Sequence, residues 1–366
     1  MYRWILRTLM VAAVATLFTL GGAVDVRGDG QQAGPAPAAE GPGSGFRVDA
    51  RRGPVDLGIN DPALVGAIDI HVHLVPDSPG ANGNMRFLDP FEMAKVAKAR
   101  RMRGFVMKTQ HDASSASLAY LTRKYAAPDL DIFGTMAMNL ALGGMNVAAV
   151  ERFSQVSGGW GRIIMMPSID NERERDAPSD TLGSRRPYAL LMSPEAEKWV
   201  STVRNGELLP NVKQLIGVVA KLRTVDTNAP LVLATGHASG EEHVLIAREG
   251  RRLGLQVVLT HGSDASLAQQ QEAAKMGAYI ELTVNGLVRE GAAAARRAAD
   301  SIRAVGAEHY IVSSDCGQMA NPFPSDCLSL AAQALRANGI TERQLDLMYK
   351  ENPARLLGLP VLSPAS

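Results

Sequence analysis

The stretch 67–74, Ala-Ile-Asp-Ile-His-Val-His-Leu, ends an apolar run with two histidines one residue apart. Side chains alternate along a strand, so His71 and His73 are expected to share one side, with imidazoles anchored about 7 Å apart along the backbone. Two neutral imidazoles so placed can converge on one ion. An isolated pair of this kind occurs in ordinary strands too, so its meaning depends on what the rest of the chain supplies.

Beyond residue 60 the chain alternates short β-rich runs with helical stretches. Strands are expected at 66–72, 104–108, 131–137, 162–166, 231–235, 256–260, 278–283 and 310–314. Most are continuous apolar runs, as parallel strands covered on both faces require. Helix starts are marked between them. Asp89-Pro90 offers an N-cap followed by proline at the first helical position. Ser239 with Glu242, and Thr341 with Gln344, form capping boxes. Gly254 and Gly277 stand where helices end, and 211–222 carries apolar residues at helical spacing. Eight such units over about 300 residues fit a (β/α)8 TIM-type barrel, and equally a doubly wound open sheet.

The histidines separate the two. Of seven in the chain, His71, His73, His111, His237 and His261 fall at or just after the carboxyl end of an expected strand, and Asp315 ends the last one. The carboxyl rim is where barrel active sites lie. His243 falls inside a helix and His309 on the opposite rim, so both are read as structural or surface residues. Five buried polar groups on one rim, left without a shared partner, would carry a large desolvation cost.

In its ordered pieces the chain resembles the metal-dependent amidohydrolase superfamily: "HVH" on the first strand, "TGH" on the fifth, "LTH" on the sixth and "SSD" on the eighth. The C-terminal "NPARLLGL" is similar to the helix that closes such barrels. The resemblance covers roughly residues 65–360 and points to an uncharacterised branch, with no substrate attached. It implies that His71 and His73 are the first metal ligands. Asp315 would bind the same ion and take a proton from the attacking water, and His237 would be a further ligand. His261 would serve either a second ion or the substrate. The donor set suits a divalent ion, zinc foremost, one or two per chain. Such an ion brings the pKa of water towards neutrality. The implied activity is hydrolysis of an amide, lactone, ester or phosphoester by metal-activated water. A metal-dependent decarboxylase is the alternative, as is an exported barrel that binds without turnover.

One departure stands out. Two-metal members carry a bridging carboxylated lysine or a glutamate on the fourth strand, which here ends "RIIMMPSID" without either. Lys108, ending the second strand, is the one strand-end lysine; it is expected to bridge metal or face an oxyanion, an ion pair with Asp69 or Asp112 being the plainer reading. His111 lines the same mouth. Glu281 would orient a ligand histidine or else face the helix layer, and Asp69 would lie below the metal or pair with Lys108. Arg185, Arg186 and Tyr188, in the long connection after the fourth strand, could meet an anionic substrate from a lid, or belong to a solvated loop.

Composition bounds the rest. Hydrophobic residues make up 46% and charged residues 20%, enough for a sizeable core. A formal charge of +1 and 5% aromatics argue against nucleic acid as a partner. A small-molecule substrate is expected, taken by the chain alone or as a homo-oligomer. Arg3 and Arg7 precede an apolar run from Leu9 to Leu20 and then Gly21-Gly22-Ala23, the layout of a secretory signal over residues 1–25. The run only approaches the roughly 17 residues needed to span a bilayer, so export to the periplasm or beyond is favoured over an uncleaved anchor. Residues 26–55, rich in Gly, Pro and Ala, read as a flexible linker before a barrel at 56–362. The two cysteines, Cys316 and Cys327, are too few for a cysteine-only zinc site, and export would permit a disulfide between them.

Overall fold

The computed structural model describes residues 56–77, 86–173 and 199–362; the expected signal segment and linker, and Arg185, Arg186 and Tyr188, lie outside them. Eight parallel strands form a single sheet: β1 Ile68–His73, β2 Gly104–Thr109, β3 Asp131–Ala137, β4 Gly161–Met165, β7 Val232–Ala234, β8 Gln256–Leu259, β9 Tyr279–Thr283 and β10 Tyr310–Ser313. Each pairs in parallel only with its sequence neighbours in that series. A small antiparallel hairpin, β5 Val203–Arg204 and β6 Glu207–Leu208, interrupts the connection from β4 to β7. Every expected strand is present, with ends displaced by no more than about two residues, the usual scatter of strand limits.

The sheet curls into a nearly closed barrel. Its seam is joined at the carboxyl ends of β1 and β10: the Asp315 N–H donates to the His71 carbonyl and the His73 N–H to the Cys316 carbonyl, both at 2.9 Å. An open doubly wound sheet would leave these two edges far apart, so this seam decides between the two sequence readings.

Residues of one parity fill the interior. Ile68, Ile70, Val106, Phe133, Ala137, Ile163, Met165, Val232, Ala234, Val258 and Ile311 make one buried cluster drawn from seven strands, which only a barrel lumen can collect. The helix Asn352–Leu356 plugs the amino-terminal end, adding Ala354 and Leu356. Asn352 holds it there, its amide donating to the carbonyls of Ala307 at 2.9 Å and Tyr310 at 2.7 Å. Outward-facing residues such as Phe105, Met107, Ile280 and Val312 pack instead against the helices.

The helices start where the sequence marks them. Capping boxes are formed by Asp89 with Glu92, Ser239 with Glu242, and Thr341 with Gln344, each stabilising its helix by about 1 kcal/mol. The apolar stripe near 211–222 becomes the helix Pro210–Lys221, burying Val212, Leu215, Ile216 and Val219. Among the described residues, no helix is long and apolar enough to cross a membrane. Cys316 and Cys327 are joined by a disulfide that ties the segment after β10 to the helix Pro324–Ala337.

β1 carries an irregularity that the sequence does not announce. Asp69 pairs with Phe105 and Val72 with Met107, so three steps on β1 face two on β2. The extra residue is a bulge, which resets the alternation of faces. Ile70 and His71, though consecutive, both point into the barrel, and Asp69 points away from it.

Gly317 is fixed by the seam. Its φ is +119°, and a Cβ there would lie 1.8 Å from the His73 carbonyl oxygen. Gly254 also has positive φ, +81°, but nothing within 4 Å of its would-be Cβ. Gly317→Ala is therefore expected to lower stability by more than about 2 kcal/mol, and Gly254→Ala by only about 1 kcal/mol. Thermal and urea unfolding of the two variants checks this; equal losses would remove the steric role of Gly317.

Candidate metal centre

His71, His73 and Asp315 meet at the carboxyl rim of the barrel, all buried, with one ligand atom from each lying within 4.8 Å of the others. Two come from β1 and the third lies two residues beyond β10, across the seam. Asp315 adopts a left-handed backbone, φ +48°, a conformation aspartate tolerates better than most residues. Its Oδ1 lies 3.0 Å from His73 Nε2 and 3.2 Å from His71 Nε2.

Glu281 of β9 sets the state of His71. Its Oε1 is 2.9 Å from His71 Nδ1, and an ionised carboxylate only accepts, so Nδ1 carries the proton. Histidine charges and hydrogen bonds from His71 and Ser313 outweigh burial and hold the Glu281 carboxyl down at about 2. Its other oxygen accepts the His261 backbone N–H at 3.0 Å. In a neutral form with Nδ1 protonated, His71 would turn the bare lone pair of Nε2 toward a carboxylate oxygen. That Nε2 is buried without a hydrogen-bond partner. Facing acceptors inside a protein are reconciled by positive charge between them, a proton on Nε2 or a bound cation.

A divalent ion meets that demand. Nitrogen and oxygen donors at about 2 Å from zinc in tetrahedral array lie about 3.3 Å from one another, close to the two separations found here. His71 and His73 can both offer neutral imidazole. Burial, with the Arg86 charge, keeps the His73 pKa well below its ordinary value. The donors present therefore fit a metal. The Asp315 carboxyl is itself held well below the usual carboxylate range by the charges of His71, His261 and His73 and the His73 hydrogen bond, against the cost of burial.

His261 and His237 complete the histidine arc. His261 Nδ1 is 3.1 Å from Thr283 Oγ1 and its Nε2 is 3.9 Å from Asp315 Oδ2. Burial lowers its pKa to about 4. Its ring packs edge-on against His71 and His237, with centroids 5.5 and 5.2 Å away. His237 thus reaches the centre by way of His261 and is not one of the three residues whose ligand atoms cluster.

Lys108 lies beside His73 in the β1–β2 ladder, 2% exposed, and faces the lumen. Among the described residues it makes no hydrogen bond or ion pair, so the expected pairing with Asp69 or Asp112 is absent. The reason is the β1 bulge. Asp69, expected on the side of His71 and below the metal, is turned outward, and its Oδ1 accepts the backbone N–H groups of His71 at 3.1 Å and Ser314 at 3.0 Å. Burial raises its pKa to about 6. It secures the main chain of both ligand strands rather than the lumen. His111 is buried at the mouth, where burial first and the Arg86 charge second lower its pKa. His243 is buried behind the rim, its Nδ1 2.6 Å from Thr235 Oγ1.

Several contributors were not singled out from sequence. Asn285 donates to Asp315 Oδ2 at 3.4 Å, and Ser313 donates to Glu281 at 2.7 Å. Arg86 and Asp77 enter from the connection after β1, 3.7 Å apart. Ser313 had a legible signal, since it ends the strand that leads into Asp315. Arg86 had none, because its position depends on a long-range bridge to Gln318.

Comparison with known proteins agrees with the architecture. The chain has the fold of the metal-dependent amidohydrolases. An amidohydrolase from Burkholderia multivorans with bound zinc superposes with a TM-score of 0.54 at 13% identity, over 80% of this chain and 99% of that one. The same enzyme with bound HEPES gives 0.52 at 15% identity, over 80% and 99%. A 2,6-dihydroxybenzoate decarboxylase from Rhizobium gives 0.49 at 15%, over 80% and 98%. Residues 66–281 match the model of a family of unknown function, DUF6282, and the chain belongs to that family. The match takes in His71, His73, Lys108, His237, His261 and Glu281 but stops short of Asp315. No curated protein matches the sequence.

Because Glu281 fixes the proton on the far nitrogen of His71, Glu281→Gln is expected to weaken zinc binding roughly 10- to 100-fold. Competition with a chromogenic chelator measures this, and an unchanged affinity would remove Glu281 from the centre.

Proposed function

We propose that this chain is a metal-dependent hydrolase acting on an amide, lactone, ester or phosphoester bond of a small molecule, with His71, His73 and Asp315 holding a divalent ion, zinc foremost. The observation that carries this reading is the His71 Nε2–Asp315 Oδ1 approach at 3.2 Å with Glu281 behind the imidazole. A bound divalent ion polarises a carbonyl or phosphoryl oxygen and eases loss of a proton from water. The remaining work falls to side chains. Asp315 Oδ2, steadied by Asn285, is placed to take the proton of the attacking water and return it to the leaving group. His261, neutral and with Nδ1 engaged by Thr283, can present Nε2–H to the substrate oxygen. Thr235 and His243 brace the strand ends that carry His237 and His261: the Gly236 and Thr260 N–H groups donate to the Thr260 and Thr235 hydroxyls, both at 3.0 Å.

Metal-dependent decarboxylation is the second reading, since the buried cation Lys108 at the mouth would serve a substrate carboxylate in either reaction. We further propose that the enzyme works outside the cytoplasm, an assignment supported by the Cys316–Cys327 disulfide and the basic-then-apolar N-terminus.

Elemental analysis of chain purified without chelator is expected to give at least one transition metal per chain, reduced to a trace in His71→Ala and Asp315→Ala. A library of small esters, lactones, amides and carboxylic acids, scored in parallel for hydrolysis and for CO₂ release, is expected to give turnover that chelation removes and zinc restores. Metal-free protein that folds and turns over substrate would end the proposal. Sequencing the N-terminus of the mature protein is expected to start within a few residues of Ala23; a start at Met1 would exclude a cleaved signal.

A further inference from the structure

Lys108 is buried to 2% exposure inside the barrel, one ladder step from His73, with no hydrogen bond or ion pair among the described residues. A desolvated ammonium is costly unless an anion accompanies it. The carboxylates near it are already engaged. Asp315 faces His71 and His73, and Glu281 holds His71, Ser313 and the His261 N–H. Asp77 accepts the Gln110 N–H at 3.3 Å and lies beside Arg86. Arg86 is a second buried cation, 5% exposed, near enough to bear on both His73 and Lys108. Once a divalent ion is bound, the positive charges of the ion, Lys108 and Arg86 exceed the negative charges of Asp315, Glu281 and Asp77 by one. The far wall of the lumen differs: Ala137, Met165 and Ala234, at the ends of β3, β4 and β7, are apolar and mostly small.

We propose that Lys108, flanked by Arg86, is the anion-binding subsite of this centre, and that the substrate is a small organic molecule with an anionic oxygen group, carboxylate or phosphate, and an apolar body. The anionic group sits on Lys108, the apolar body lies against Ala137, Met165 and Ala234, and the bond to be cleaved is thereby brought to His71, His73 and Asp315. Lys108 is then the residue that separates charged substrates from their neutral analogues. The assignment of the cleaved bond rests on the hydrolase reading above; the anion subsite is tested apart from it.

The test titrates acetate, inorganic phosphate and acetamide into the full chain by calorimetry, with metal content measured on every sample. In the unaltered chain, acetate or phosphate is expected to bind at least 10-fold more tightly than acetamide; the stronger of the two identifies the anionic group. Lys108→Met should weaken that anion at least 10-fold at unchanged metal content, and Lys108→Arg should restore most of it. Lys108→Met protein that keeps its ion and binds the anion as tightly as the unaltered chain would overturn the proposal. So would acetamide matching both anions in the unaltered chain, a result that stands even if Lys108→Met does not fold. If the chain holds no metal, the hydrolase reading fails, and the same titrations on ion-free protein still decide whether Lys108 binds anions.

Discussion

The structure turns on one junction, where β10 meets β1. The main-chain groups of His71, His73, Asp315 and Cys316 join the barrel there, and three of these residues aim their side chains at a common point. Closure of the fold and assembly of the centre are thus the same event. A seam hydrogen bond contributes on the order of 1 kcal/mol net, little enough that an ion gripped from both sides would reinforce it substantially. Asp69 adds to this from outside the lumen, taking one N–H from each strand, and the disulfide anchors the residue after Asp315 to a helix.

Around that junction polarity is arranged unevenly. The arc from β8 through β9 and β10 to β2 carries His261, Glu281, Asp315, His71, His73 and Lys108, whereas β3, β4 and β7 end in apolar or small side chains. The absence of a carboxylate or lysine at the tip of β4, evident from "RIIMMPSID", belongs to this division. One half of the mouth handles charge and the other offers a surface for carbon. Desolvation is the physical price of the charged half, and its engaged carboxylates show how most of that cost is offset.

Much of this was legible in the sequence. The strands announced themselves as short apolar runs, and the capping boxes at Ser239 and Thr341 marked helix starts because they depend on residues only three apart. His71, His73, His261 and Asp315 were found because strand ends of a barrel converge, so local position predicts global position. Glu281 was legible too, as an acid inside an apolar strand. Asp69 was misplaced, since a bulge follows from how two strands mate and leaves no mark on one of them alone. Arg86, Asp77 and Asn285 were missed for a related reason: their side chains gain meaning from contacts that connections and strand ends make across the mouth. His243 was read as structural from its helical setting, and its bond to Thr235 was invisible in the sequence.

The bulge in β1 carries an evolutionary implication. Because one additional residue separates Asp69 from Val72 relative to the facing strand, the inward or outward parity of everything upstream is decoupled from the histidine pair. Straightening the bulge without loss of a residue, so that Ile70 turns outward, would swing the Asp69 carboxylate into the lumen and Ile68 out of it. A fold so constructed stands one shift of strand register away from a centre with an additional acid beneath its ligands, with no change in the residues themselves.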